Sequence, residues 1–136
     1  MTSGYSGTPL VKKLGINPGD KLAILNPPDG YEKTLGALPG GVQHLKQLGS
    51  RMDFLQFFTQ SRSELARSFP KLREALAYDG ALWISWPKKT SGVESDLSEN
   101  IIREIGLQNG LVDVKVAAVD EVWSGLKFVY RLEDRR

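Results

Sequence analysis

Apolar residues in this sequence form short runs that alternate with stretches of helical spacing. The runs Lys21–Leu25 and Met52–Thr59 predict buried strands, because they are short and rich in aliphatic and aromatic residues. The clearest helical spacing is four, three and four, at Leu65, Phe69, Leu72 and Leu76. It predicts an amphipathic helix that breaks or kinks at Pro70.

Helix starts are marked by pairs that fit a capping box, an N-cap residue with Glu three positions later. The pairs are Asp29 with Glu32, Ser61 with Glu64, and Asp96 with Glu99. The first predicts a helix from Gly30 to about Leu35, and Gly110 ends the third. Thr8-Pro9 is typical of an N-cap and first helical residue, so a short first helix is expected before Gly15.

The later strands complete the pattern. Asp79-Gly80 ends the long helix and precedes a strand at Ala81–Trp86. Two more strands, Leu111–Val119 and Gly125–Arg131, are joined so closely that they must pair antiparallel. Residues 42–48 suit a helix by spacing and a strand by brevity, and topology favours the strand.

This order of elements predicts a single-domain α/β fold over residues 1–136. Strands that alternate with capped helices and end in a hairpin specify a mostly parallel Rossmann-like sheet, covered by helices, with a C-terminal antiparallel hairpin. Residues 1–7 and 133–136 are expected to be flexible.

Composition narrows the function classes. The absence of cysteine excludes disulfides, zinc-thiolate sites, iron–sulfur clusters and thiol nucleophiles. No run reaches the ~18 apolar residues of a membrane span, and no signal peptide is recognisable, so we expect a cytoplasmic protein. A net charge of +2 is too small to indicate nucleic acid, and neither nucleic acid nor a membrane is an expected partner.

The predicted topology brings several loops to one rim, because parallel strands end on the same side and ligands bind in the crevice there. Four stretches meet: Asn26–Asp29, Thr59–Arg62, Trp86–Ser91 and Asp120–Ser124. The candidate ligand-binding residues are Asn26, Asp29, Arg62, Trp86, Lys88, Lys89, Ser91, Asp120, Trp123 and Ser124. Cations beside hydroxyls and helix starts suit a small anion such as phosphate or carboxylate.

Each candidate also has a structural interpretation. Asp29, Ser61 and Asp96 are explained most simply as N-caps. Lys88-Lys89 fits a solvated loop, and both rim tryptophans could seal the core as readily as stack on a ligand. His44, the sole histidine, has no acidic neighbour in sequence, and a structurally indifferent role is favoured.

Catalytic templates are absent. The sequence has neither a G-x-S-x-G elbow nor a G-x-x-x-x-G-K-[ST] loop. Asp120 and Glu121 are adjacent, so on a strand they point to opposite faces and cannot easily act as a pair. We predict no catalytic residue and no metal site.

The order of elements resembles a shortened class I methyltransferase. The resemblance rests on residues 14–21 entering the first strand, on residues 79–85 as a late central strand, and on the terminal hairpin. It implies a Gly-rich loop for S-adenosylmethionine after the first strand and an acid after the second. Here the loop is Asn26-Pro27-Pro28-Asp29-Gly30, and no acid follows residues 42–48. Prolines lack the N–H groups that a nucleoside cofactor would use, and we predict no cofactor.

Three motifs resemble a family of short bacterial proteins that is known only as a domain of unknown function. They are residues 4–15 (GYSGTPLVKKLG), 86–92 (WPKKTSG) and 113–127 (DVKVAAVDEVWSGLK). This resemblance implies a small cytoplasmic bacterial α/β protein and brings no catalytic residue with it.

Three functions follow from these patterns. The first is a non-catalytic module that binds a small anionic ligand, or a partner's acidic group, at the strand-end rim. The second is a degenerate methyltransferase-like enzyme. The third is an interaction protein that forms homo-oligomers through an exposed sheet edge or the hairpin.

Overall fold

A six-stranded sheet forms the centre of the molecule. The computed structural model describes residues 8–135. The strands are β1 (Lys21–Leu25), β2 (Gln43–Leu45), β3 (Met52–Phe58), β4 (Leu76–Pro87), β5 (Leu111–Ala118) and β6 (Trp123–Tyr130). Their order is β2-β1-β3-β4-β6-β5, and only β6 runs antiparallel to its neighbours. The predicted fold class and the terminal hairpin are confirmed.

Helices cover both faces of this sheet. They are α1 (Leu10–Leu14), α2 (Tyr31–Leu35), α3 (Arg62–Ala75) and α4 (Glu99–Gln108). On one face α3 and α4 bury Phe69, Leu72 and Ile102 among side chains of the central strands. On the other face α1 and α2 bury Leu14 and Leu35. None of these helices is long and apolar enough to cross a membrane within the described part of the chain.

Only one of the three predicted capping boxes has its predicted N-cap. Ser61 caps α3, and its hydroxyl accepts a hydrogen bond from the Glu64 N–H. Gly30, in a left-handed conformation, occupies the N-cap of α2, so the capping role predicted for Asp29 is wrong. The cap predicted at Asp96 is also wrong, because α4 begins later and Ser98 caps it.

The boundary between α3 and β4 also differs from the prediction. The helix runs unbroken through Pro70 to Ala75, and β4 begins directly at Leu76. The predicted strand start at Ala81 is therefore wrong, because the strand extends five residues further toward the amino end.

The pairing of β4 with β3 is interrupted near the start of this longer strand. Leu76 lies opposite Met52, whereas Ala81 lies opposite Phe54, so residues 77–80 have no regular partners on β3. Gly80 makes the close approach that this requires, since a Cβ there would lie 2.7 Å from the Met52 carbonyl oxygen.

The two edges of the sheet are short or irregular. At one edge, β2 confirms the strand interpretation of residues 42–48 with three paired residues. At the other, Asp113 lies opposite Phe128 and Lys115 opposite Lys127, so Val114 is an extra residue that bulges from β5.

The two ends of the chain were predicted to be flexible. Residues 1–7 lie outside the described residues. Near the other end a 3-10 turn spans Leu132–Asp134, and Arg135 Nε donates to the Tyr130 carbonyl at 3.0 Å.

Candidate functional site

An open cleft of about 560 Å³ lies at the carboxyl ends of β1 and β3. The two strands that follow β1 in the chain lie on opposite sides of it, so this is the point where the strand order reverses. In open α/β sheets ligands bind at such a point. The walls come from two loops, from α3 and from the start of β6: Asn26, Pro28, Phe58, Thr59, Gln60, Ser61, Glu64, Arg67 and Trp123.

Aromatic rings form one wall of the cleft. Phe58 and Trp123 meet edge to face, with ring centroids 5.1 Å apart. Tyr31 packs edge-on against the same Phe58 ring at 4.8 Å. Trp123 is only 9% exposed, so it seals the core while it lines the cleft.

A buried chain of polar side chains lies next to this aromatic wall. The Tyr31 hydroxyl donates to Gln56 Oε1 at 2.7 Å, and Gln56 Nε2 donates to Ser85 Oγ at 3.1 Å. Burial raises the pKa of the Tyr31 hydroxyl, which opposes the effect of the Gln56 hydrogen bond. The chain joins α2, β3 and β4, and so fixes Tyr31 behind Phe58.

Hydroxyl and carboxylate groups of the β3–α3 loop are already satisfied within the loop. Thr59 Oγ1 donates to the Glu64 carboxylate at 2.5 Å and accepts from the Ser61 N–H at 3.1 Å. The Ser61 hydroxyl in turn accepts from the Glu64 N–H. Glu64 is thus tied to the loop through its Oε1 atom and its backbone N–H.

Among residues 8–135, Arg67 is the only cation that lines the cleft. Its side chain is exposed and makes no hydrogen bond or ion pair to another described residue. Asn26 lines the opposite wall in a left-handed conformation, φ 55°, and its Nδ2 donates weakly to the Phe58 carbonyl at 3.4 Å. The cleft therefore presents one free positive charge opposite an amide.

Most of the residues predicted for a ligand site lie outside the walls of the cleft. Asn26 and Trp123 line it. The remainder are Asp29, Arg62, Trp86, Lys88, Lys89, Ser91, Asp120 and Ser124. Trp86 is buried in the core under α3 and α4, and Asp29 and Arg62 are exposed. A ligand-binding role for these residues stays a prediction.

Several of these residues hold the loops themselves. The Lys88 N–H donates to the Val122 carbonyl at 2.8 Å, which joins the end of β4 to the β5–β6 turn. Ser91 Oγ donates to the Lys88 carbonyl at 2.6 Å. Asp120 Oδ1 accepts from the N–H groups of Val122 and Trp123. These hydrogen bonds hold the loops of the rim together.

Glu64 and Arg67 were missed by the sequence reasoning. The signal was available, because Ser61, Glu64 and Arg67 recur at a spacing of three and share one face of a helix. When a helix starts at the rim, residues of its second turn on the face of its N-cap lie in the same crevice. The apolar spacing of α3 predicts only the buried face of the helix.

His44 is exposed on β2 and lines a separate groove of about 280 Å³ between α2 and the sheet edge. Across residues 8–135, no three His, Asp or Glu side chains lie close enough together to hold a metal ion.

The strand order, the helices on both faces and the antiparallel sixth strand define a Rossmann-like fold of the methyltransferase type. Solved structures of SAM-dependent methyltransferases share it at low sequence identity. One from Aquifex aeolicus matches with a TM-score of 0.63 and 14% identity, over 88% of this chain and 86% of that one. A TehB-like enzyme from Corynebacterium glutamicum matches with a TM-score of 0.56 and 10% identity, over 90% and 85% of the two chains.

A third structure contains a bound ligand. Magnesium protoporphyrin IX methyltransferase from Synechocystis PCC 6803, with bound SAH, matches with a TM-score of 0.57 and 15% identity, over 90% of this chain and 78% of that one. At such identities the likeness shows the fold alone. No family model and no curated protein matches the sequence.

Proposed function

We propose that this protein is a non-catalytic binding module that holds a small organic anion in the cleft at the carboxyl ends of β1 and β3. The anion is a carboxylate or a phosphate, free or presented by a partner protein. The observation that carries the proposal is the unpaired guanidinium of Arg67 in a cleft at the reversal point of the sheet.

The chemistry of the walls supports side-chain recognition of the anion. A guanidinium offers two parallel N–H donors to a carboxylate or phosphate. Pro28, on the wall after β1, has no N–H, so the backbone there cannot cradle a phosphate as glycine-rich loops do. Asn26 supplies a polar group on that side.

The absence of acid–base groups in the cleft supports a binding role over a catalytic one. Among the described residues its lining includes no histidine, and its single carboxylate, Glu64, already accepts a hydrogen bond from the Thr59 hydroxyl at Oε1. A general base needs a free acceptor within reach of the substrate proton.

The test is an NMR titration of the native protein with acetate and with inorganic phosphate. We expect backbone amide shifts at Asn26, at residues 59–61 and near Trp123. Arg67→Gln should weaken binding at least about tenfold, because a charge-assisted hydrogen bond contributes about 1.5–3 kcal/mol. Lys71→Gln, an exposed cation one turn further along α3, is the matched control. If Arg67→Gln and the native protein bind the anion with equal affinity, the proposal is wrong.

A second candidate is a methyltransferase-like enzyme with altered cofactor use. It is favoured by the fold, since similar structures contain bound SAM or SAH. Calorimetry with both compounds separates the two functions. Micromolar binding that Arg67→Gln leaves unchanged would support the enzyme, whereas no heat would support the binding module.

A further inference from the structure

A second and larger cavity lies at the opposite, amino-terminal end of the sheet. Its volume is about 810 Å³. Its walls come from the residues before β3, the start of β4, the end of α3 and the chain after β6: Ser50, Arg51, Glu74, Leu76, Ala77, Tyr78, Asp79, Tyr130 and Arg135. It shares no residue with the cleft at the other end.

The irregular part of β4 forms one wall of this cavity. Residues 77–80 leave the regular pairing with β3, and Gly80 allows the backbone to pass close to the Met52 carbonyl. The departure places Tyr78 at the surface with 45% of its area exposed. An aromatic ring presented on a β-bulge is a ready contact surface, since bulges re-aim side chains beside binding sites.

A second tyrosine holds this surface in place. The Tyr78 and Tyr130 rings lie 5.0 Å apart in a tilted arrangement. Tyr130 is fixed in turn, because its hydroxyl donates to the Arg73 carbonyl at 2.7 Å and its carbonyl accepts from Arg135 Nε at 3.0 Å. The Arg73 guanidinium lies 5.4 Å from the centroid of the same ring. Contacts within the protein thus hold both rings of the aromatic wall.

Side chains of both charges line the cavity and do not form ion pairs with one another. Arg51 and Arg135 are positive, and Glu74 and Asp79 are negative. Within the described residues none of these four forms an ion pair. Arg51 also adopts a left-handed backbone, φ 51°, which is uncommon for a residue other than glycine.

We propose that this amino-terminal cavity binds a zwitterion with an aromatic side chain, either a free aromatic amino acid or a dipeptide that contains one. The arginines take the ligand's carboxylate, Glu74 and Asp79 take its ammonium group, and Tyr78 contacts its ring. A ligand with one charge would leave charges of the opposite pair unsatisfied. This site is independent of the anion cleft.

An NMR titration of the native protein with L-phenylalanine tests the proposal. Two analogues isolate the charges: N-acetyl-L-phenylalanine keeps only the carboxylate, and L-phenylalanine amide keeps only the ammonium group. We expect L-phenylalanine to shift the amides of Tyr78, Asp79 and Gly80, and both analogues to bind about tenfold more weakly. Glycyl-L-phenylalanine identifies the source, since tighter binding indicates a peptide and weaker binding a free amino acid.

Two variants and a control complete the test. Glu74→Gln should lower the affinity for L-phenylalanine to about that of N-acetyl-L-phenylalanine. Arg51→Gly removes a cation at a left-handed position that glycine tolerates, and it should lower the affinity for L-phenylalanine toward that of L-phenylalanine amide. Glu104→Gln, which neutralises an exposed carboxylate on α4, is the matched control. The proposal fails if L-phenylalanine leaves residues 78–80 unshifted, if either analogue binds as tightly, or if Glu104→Gln has the effect of Glu74→Gln.

Discussion

The carboxylate of Asp96 accepts a hydrogen bond of 2.7 Å from the backbone N–H of Arg62, 34 positions earlier in the chain. Arg62 is the first residue of α3, so a side chain from the β4–α4 loop caps a helix other than the one it precedes. Ser95 Oγ donates beside it to the Gln60 carbonyl at 3.0 Å. An anion at this N–H would compete with the carboxylate already there, so the proposed anion site relies on Arg67 rather than on the amino end of α3.

Replacing Asp96 with alanine should destabilise the protein by about 0.5–2 kcal/mol, because the first N–H of α3 loses its acceptor. Urea unfolding monitored by tryptophan fluorescence measures the change. Asp29→Ala is the matched control. Asp29 is exposed and does not cap α2, so this variant should lie within about 0.5 kcal/mol of the native protein. Equal losses in the two variants would contradict the assignment of the cap.

Gly106→Ala tests the packing of α4 on the sheet. Alanine inside a helix ordinarily stabilises by about 1 kcal/mol relative to glycine. At this position a Cβ would lie 2.1 Å from Phe128 Cε1, so we expect a loss of about 1–3 kcal/mol.

Two further variants check the cause of that loss. Phe128→Leu in the same chain should recover part of the stability that Gly106→Ala loses, since it removes the clashing ring atoms. Gly40→Ala, where a Cβ meets nothing within 4 Å, should change the free energy of unfolding little. A stabilised Gly106→Ala would show that α4 sits further from β6.

Alkaline pH should unfold the protein partly through Tyr31. Its folded pKa is raised by burial, so below the ordinary tyrosine value of about 10 both states keep the proton and stability is constant. Above that pH only the unfolded state releases it, and stability falls by up to about 1.4 kcal/mol per pH unit. Burial also raises the pKa of Tyr130, so its ionisation in the unfolded state lowers the stability at alkaline pH in the same way.

Tyr31→Phe should therefore have a shallower decline in stability between about pH 10 and 11 than the native protein. At neutral pH, Tyr31→Phe should lower the free energy of unfolding by about 1–3 kcal/mol, because the buried Gln56 carbonyl oxygen loses its hydrogen-bond donor. Urea midpoints at a series of pH values separate the two effects. Parallel pH profiles would show that Tyr31 is not the group that titrates.

The double variant Lys88→Ala, Lys89→Ala tests the lysine pair of the original ligand-site prediction. Because neither lysine lines the cleft, we expect a loss of anion affinity of about twofold to threefold that disappears in 0.5 M salt. Arg67→Gln should cause the larger loss at both salt concentrations. A larger and salt-resistant effect of the lysines would move the site to the β4–α4 loop.

The strands were predictable because apolar runs and turn residues are local signals. The exact bounds of β1 followed from the run Lys21–Leu25 between a Pro-Gly turn and a Pro-Pro turn. The start of β4 could not be predicted in this way, because Leu76 continues the helical spacing of Phe69 and Leu72. Pairing with Met52 decides its conformation, and that contact is distant in sequence.

The helix caps show the same limit. Residues 29–32 and 96–99 have the spacing of a capping box, as residues 61–64 do, yet only Ser61 is the N-cap of its helix. The side chain of Asp96 is held instead by Arg62, which no local pattern reveals. Asn26 and Trp123 line the same cleft in the structure, and their role in binding stays a prediction. The position of Arg67 depends on which face of α3 points outward.

The extra residue at Val114 has a consequence for self-association. An unbroken edge strand invites a second copy to extend the sheet, but a bulge interrupts the row of N–H and C=O groups that such a copy would use. Deleting Val114 would straighten β5 while keeping the hairpin. We expect the resulting protein to associate more readily on concentration, which light scattering would measure.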